Sequence, residues 1–413
     1  MISFWPTIVT VASVAALAFV AAKPVPTPKP VPALQKLQEA AQAGDATAMN
    51  QLASRYSTGA GFPEDSRKAF ELFRKAAEAG NPPAMLNLAI RYRSGDGVPK
   101  NEERANEWVQ KAVTSLEASA GHGDTAAMFA LGSIYQFGFG VAADQMRSRQ
   151  WLEKGSNAGD PRAMTALALS FLESDKDPQQ AFGWASKAAN AGQPSAMTLV
   201  AGLFAAGHGV SRDEKQALAW LQKAADKGDA AAMRLLGERY DRGDGVAADR
   251  GQAQGWMEKA ASAGNTKAMN DLGNRFASGA GVNKDEKNAA RYFEGAAYDG
   301  DSQGMFNFAL ALANGRGVEK DEELAAMWYE RASDLGHAAA TNNLGLLCAN
   351  GRGVEKDPQR AIALFRKAAD AGNRDAMRNL AKSYRDGFGV IADSSEADKW
   401  QKKAGGADAP EGQ

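Results

Sequence analysis

The sequence predicts an all-α solenoid, and three recurring columns of residues predict it. A glycine followed four residues later by Ala-Met returns with a near-constant period of 36 residues, at Gly44, Gly80, Gly123, Gly159, Gly192, Gly228, Gly264 and Gly372. Two further copies, after Gly300 and Gly336, vary the pair to Gly304-Met305 and Ala340-Thr341. An Asp or Asn holds a second column from Asp65 and Asn101 to Asp357 and Asp393, and seven of the eight tryptophans hold a third. One supersecondary unit has therefore been copied ten times and stacked, from about residue 33 to residue 404.

The sixth copy shows the unit in order. Ala232, Met233, Leu236, Gly237 and Tyr240 fall at helical spacing, so a first helix presents an apolar stripe, with a small residue where another helix must come close. Gly243-Asp244-Gly245-Val246 ends it, because two glycines permit backbone angles that a side chain opposes. Asp249 stands just ahead of the next apolar period, where its carboxylate can accept from free helical N–H groups, so a second helix starts there. Pro178 and Pro358 follow the same column in two other copies, at the position where a helix best tolerates proline. The second helix carries Ala253, Trp256 and Lys259-Ala260. Tryptophan recurring at one repeat position reads as packing between helices, with truncation expected to cost about 3–5 kcal/mol.

These residues resemble the Sel1-like repeats, relatives of the tetratricopeptide repeat, through A-M-x-x-L-G-x-x-Y-x-x-G-x-G-V, then D, then A-x-x-W-x-x-K-A-A and a closing glycine. The resemblance implies a right-handed superhelical solenoid of about ten helix-turn-helix repeats that binds other proteins on a concave face. It implies no reaction.

Two junctions depart from the period. Seven additional residues between Trp108 and Gly123, roughly Val113 to Ser119, extend the second helix of the second copy by nearly two turns without rotating its face, a projection of about 10 Å. In the fourth copy Glu173-Ser174-Asp175-Lys176 replaces the Gly-x-Gly turn and shortens the repeat by three residues.

Residues 1–22 contain no charged side chain and read as a signal peptide or membrane anchor. Residues 23–32 alternate Pro with Val, Thr and Lys, a stiff tether, and residues 405–413 read as a disordered tail. A periplasmic or exported location follows, with tethering at the inner membrane a variant of it. Lys23 and Lys29 after the apolar run point instead to a cytoplasmic orientation, which stays open. Contact with a membrane is expected only through this N-terminal segment.

The chain carries a formal net charge of -1, with 48 basic and 49 acidic residues, which argues against a phosphate-tracking nucleic-acid surface. Cys348, the single cysteine, stands in a column otherwise held mainly by Tyr and Phe, and reads as a buried core residue. The three histidines, His122, His208 and His337, sit in different repeats, so no metal-ligand spacing or nucleophile pair is visible. No serine has a lysine three residues on, as a Ser-Lys hydrolase needs, and no cofactor or metal is expected.

Recognition should then reside where the copies differ. The position after Met and the one four residues later are expected to face the groove. Apolar residues gather there at Leu86, Ile90, Phe129 and Leu169, and again at Phe306, Leu310 and Leu346. Local repacking around Leu312 and Cys348 is the competing account of the second group. Phe137 and Phe139, with Phe182 and the extended helix, mark an edge beside the first group. The expected function is a non-catalytic, protein-binding scaffold of the bacterial cell envelope, an adaptor or regulator of an envelope complex. The alternative is an immunity protein neutralising a secreted toxic effector such as a lipase, because some immunity proteins resemble Sel1-like chains. A β-lactam-interacting hydrolase ranks behind both, and no oligomeric state follows from the residues.

Overall fold

The computed structural model describes residues 32–58, 65–173 and 176–405. They form 21 helices and no strand. A leading helix, Pro32–Gln42, precedes ten helix pairs, so Pro32, the last tether residue in the sequence reading, instead opens a helix. The signal or anchor segment 1–22, the rest of the tether and the tail beyond Gly405 lie outside the described residues. Among those described, no helix is long and apolar enough to cross a membrane.

The chain divides into two compact units, Met1–Trp220 and Leu221–Gln413. Repeats 1 to 4 and the first helix of repeat 5 lie in the first, and repeats 6 to 10 in the second.

Each repeat is closed by local chemistry. In repeats 2, 3 and 5 to 10 the glycine after the first helix takes a left-handed conformation, as at Gly315 with φ 66°, and so releases the chain from the helix. Six residues on, the Asp column does two things. Its backbone N–H donates to the carbonyl of the aromatic-slot residue, as from Asp249 to Tyr240 at 2.8 Å. Its carboxylate accepts from the second helix's third N–H, as from Gln252 at 3.0 Å. Repeat 4 keeps this closure despite its shortened turn, with Lys176 at φ 52° doing what a glycine does elsewhere. A second capping column, absent from the sequence reading, opens the first helices: Asp229 accepts from Ala232 at 2.7 Å and Asn373 from Ala376 at 2.8 Å.

The core is made of small residues and one larger apolar side chain at a fixed place in each first helix, leucine in most repeats, Val200 in repeat 5 and Phe308 in repeat 8. Leu88, Leu131, Leu167, Leu236, Leu272 and Leu380 are wholly buried. The glycine after this leucine marks close approach, as expected: a Cβ on Gly237 would lie 2.9 Å from Met257 Cγ. Cys348 is wholly buried, and burial pushes its thiol above the ordinary range.

Two expectations change. The tryptophan column is not uniformly core: Trp108, Trp151, Trp184 and Trp256 are half-buried, whereas Trp328 is 3% exposed. The residue after the tryptophan enters the seam instead, as Val109, Leu152 and Met257 do. The lysine three positions on then lies over the ring's outer face, 4.3 Å from its centre at Trp108 and 4.0 Å at Trp256. The seven-residue insertion does lengthen the second helix of repeat 2, to 20 residues against 13 in its neighbours. Its added turns do not stand free, however, because Val113, Leu116 and Ala120 are buried on their inner side.

Candidate partner-binding site

The column after Met packs beside the following repeat. Thr165, Thr198, Asn270 and Asn342 are buried there, and Leu86, Phe129 and Phe306 half-buried. The reason is visible in amide bonds that stitch one repeat to the next. Asn87 donates to Asn50 at 2.9 Å, Asn307 to Asn270 at 3.1 Å and Asn379 to Asn342 at 2.8 Å, each across 37 residues. Where phenylalanine replaces asparagine, the next repeat supplies a lid. The Arg162 guanidinium lies 5.2 Å from the centre of the Phe129 ring. It is held there by two bonds to the buried Asp160, at 3.1 and 2.6 Å. His337 stacks on Phe306 with ring centres 4.8 Å apart.

The later position of the pair is more open. Ile90, Leu169 and Leu310 are half-buried and Leu346 is 38% exposed. Phe308, next to the second group, is 4% exposed and belongs to the core.

The lid over Phe306 is also a cap. His337 Nδ1 accepts from the Ala340 N–H at 3.2 Å, and Nε2 faces Gln303 Oε1 at 3.2 Å. Protonation of Nδ1 would remove the acceptor, so the cap requires neutral imidazole. Burial lowers the His337 pKa, and the nearby Asp301 carboxylate does not cancel that effect. In the unfolded chain the ring titrates at its ordinary value near 6.5. Its contribution to stability is therefore present above that pH and lost as pH falls through 6.5 toward the lower folded value. The drop in urea midpoint between about pH 7.5 and about pH 5.5 should be smaller in His337→Asn, which keeps a capping oxygen but does not titrate. An equal drop would remove His337 from the account.

Two exposed apolar side chains lie at the turn end of repeat 3. Phe137 is 46% exposed and Met146 73% exposed, while Phe139 packs partly into the core and meets Phe137 edge-on at 6.1 Å. These are slots that other copies fill with polar or small residues. The Phe137 column reads Ser94, Arg242, Ser278, Asn314 and Asn350 elsewhere, and the Met146 column Arg67, Glu103, Lys215, Lys287 and Glu323. Met146 is legible from its column, though not from its local sequence alone. Phe182, expected on the same edge, is half-buried and packs edge-on against Phe204 at 5.3 Å.

Chemistry-bearing clusters are sparse: among the described residues no group of His, Cys, Asp and Glu is placed to hold a metal ion.

Ten successive segments, from residues 46–81 to 374–405, match the Sel1 repeat family model. No protein of curated function matches the chain. A solved protective antigen of uropathogenic Escherichia coli with the same repeat fold, c5321, is 28% identical. The match covers 90% of this chain and 86% of that one, with a TM-score of 0.53. A Sel1 repeat protein from Oxalobacter formigenes is 29% identical over 76% of this chain and 90% of its own, with a TM-score of 0.50. The immunity protein Pa5087 from Pseudomonas aeruginosa is 20% identical over 53% of this chain and 81% of its own, with a TM-score of 0.39. Sequence columns, helix pairs and family model coincide along the array, and the chain belongs to the Sel1 repeat family.

Proposed function

We propose that this chain is a non-catalytic scaffold that holds a protein partner in the bacterial cell envelope, organising or regulating a complex there. The observation that carries the binding surface is the pair Phe137 and Met146, large apolar side chains exposed at repeat positions that other copies keep polar or small. Water-exposed apolar surface of this kind is what a partner's surface covers. The envelope location rests on the uncharged residues 1–22 and the proline-rich spacer after them. The Sel1 family, whose repeats mediate protein–protein contact, supports the binding role.

The test is affinity capture by the full chain from an extract of its native envelope, beside the double variant Phe137→Asp, Met146→Glu. A stoichiometric protein retained by the parent and lost by the variant is the expected result. Both substitutions fall on exposed side chains, so the variant should keep its helical circular dichroism. Equal recovery by the two proteins would move the contact away from this face, and recovery of nothing would count against the scaffold reading itself.

A further inference from the structure

A cavity of about 420 Å³ opens between repeats 7 and 8, wholly within the second unit. Phe293, Ala289 and Ala311 are among the residues that form its apolar lining, Leu310 adds to it, and Lys284 and Arg316 stand in its wall. Its size falls within the usual range for ligand pockets, about 300–1,000 Å³.

The columns explain why the cavity exists. Ala311 occupies a position that holds Arg91 in repeat 2 and Leu347 in repeat 9. In repeat 2 the Arg91 guanidinium reaches the Ser57 hydroxyl of repeat 1 and lies 5.6 Å from the centre of the Phe73 ring, the counterpart of Phe293. In repeat 9 Leu347 is 5% exposed. The corresponding slot is thus occupied by a long side chain at those two junctions and by a single methyl group at this one.

The charged residues differ in the same way. Repeats 8 and 9 share a clasp in which Arg352 donates to Glu322 at 2.7 Å and Lys320 approaches the same oxygen at 2.7 Å. The same three residue types recur one repeat earlier as Lys284, Glu286 and Arg316. Lys284 pairs with Glu286 at 2.9 Å, but Arg316 acts on Glu286 only at longer range, and among the described residues no carboxylate is bound to it. Where leucine fills the slot, the arginine is closed on a carboxylate; where alanine leaves it open, the arginine is unengaged.

We propose that this cavity receives one aliphatic side chain of a partner polypeptide, with an acidic residue beside it in the partner closing onto Arg316. The occupant supplies from outside the two groups that Leu347 and Glu322 supply within the chain at the next junction. Charge complementarity favours the acidic neighbour, because Lys284 is already neutralised by Glu286 and, of the two basic side chains in the described lining, Arg316 is the one without a carboxylate. The alanine floor removes the aliphatic group from water in the way Leu347 is removed. This inference rests on the scaffold reading and gives it a partner chemistry.

Methyl-labelled alanine in the full chain supplies reporters at the site itself, since Ala277, Ala289, Ala290 and Ala311 all line the cavity. The probe is the capped peptide acetyl-Gly-Leu-Glu-Gly-amide, titrated beside versions with Ala for Leu and Gln for Glu. Saturable shifts confined to these methyls are expected with the Leu-Glu peptide. Binding should be about tenfold weaker for either altered peptide, the size of one lost charge-assisted bond or buried side chain. Ala311→Leu should abolish the response while leaving the other alanine methyls in place. Arg316→Gln should bind the Leu-Glu and Leu-Gln peptides alike. Equal response to all three peptides, persistence in Ala311→Leu, or no shift at all would overturn the proposal. A chain that captures a partner through Phe137 and ignores the peptides loses this pocket and keeps the scaffold reading; one that binds the peptides selectively and captures nothing loses the scaffold reading alone.

Discussion

Gly317→Ala is expected to destabilise the second unit far more than Gly281→Ala, although the two glycines occupy the same column and nearly the same conformation. Gly317 has φ 70° and Gly281 φ 79°. Either substitution puts an L residue in left-handed backbone, at about 1–2 kcal/mol. The neighbours then separate them. A Cβ on Gly317 would overlap the carbonyl oxygen of Glu286, the first residue of the preceding repeat's second helix, and backbone cannot swing aside as a long side chain can. A Cβ on Gly281 meets nothing within 4 Å. Moving the Gly317 turn off Glu286 breaks packing between repeats 7 and 8, for a total of about 3–4 kcal/mol against about 1–2 kcal/mol for Gly281→Ala.

Repeat arrays share stability between neighbours, so the measurement should be local as well as global. Amide exchange in residues 286–298 and 302–314 should accelerate in Gly317→Ala and hold near the parent rate in Gly281→Ala. Equal losses would mean that the left-handed angle alone sets the price of a side chain in this column. The same substitution bears on the cavity, because Gly317 follows Arg316 directly: a turn lifted from Glu286 carries the guanidinium with it. Gly317→Ala should therefore weaken peptide response at Ala311 even where the helices remain formed.

The contrast marks what could be read from the residues alone. The glycine, Asp and Ala-Met columns act through their own chain neighbours, and the helices begin and end where those columns place them. Asp249 caps the helix it precedes whatever repeat lies next door. Properties that depend on the adjoining repeat were not legible in one copy. Gly281 and Gly317 look alike until the residue each faces is known. Ala311 is an ordinary small residue until Arg91 and Leu347 are seen in its place. The column after Met looked solvent-facing because the stripe of a single helix was considered, whereas Asn270 and Asn342 are buried by the next helix along. Phe137 and Met146 both stand out once their columns are compared, each an apolar residue where other copies are polar or small.

Truncation of the tryptophan column should give two classes of result. Trp328→Ala is expected to cost about 3–5 kcal/mol, because the ring is 3% exposed and packed edge-on by Tyr298 at 5.3 Å and by Phe308 at 5.8 Å. Trp256→Ala should cost about 1–2 kcal/mol, the loss of a half-buried ring and of the cation–π contact with Lys259. Trp328→Phe separates packing from polarity at the buried site. The indole Nε1 of Trp328 is buried with no hydrogen-bond partner among the described residues, so phenylalanine deletes an N–H that water satisfies in the unfolded chain. That gain offsets the lost ring volume, and Trp328→Phe should lie within about 1 kcal/mol of the parent in urea unfolding. Comparable losses in Trp256→Ala and Trp328→Ala would mean that the lysine lid shields the outer rings as fully as protein does. A Trp328→Phe loss near that of Trp328→Ala would mean instead that the indole's shape, and not its burial, holds repeats 7 and 8 together.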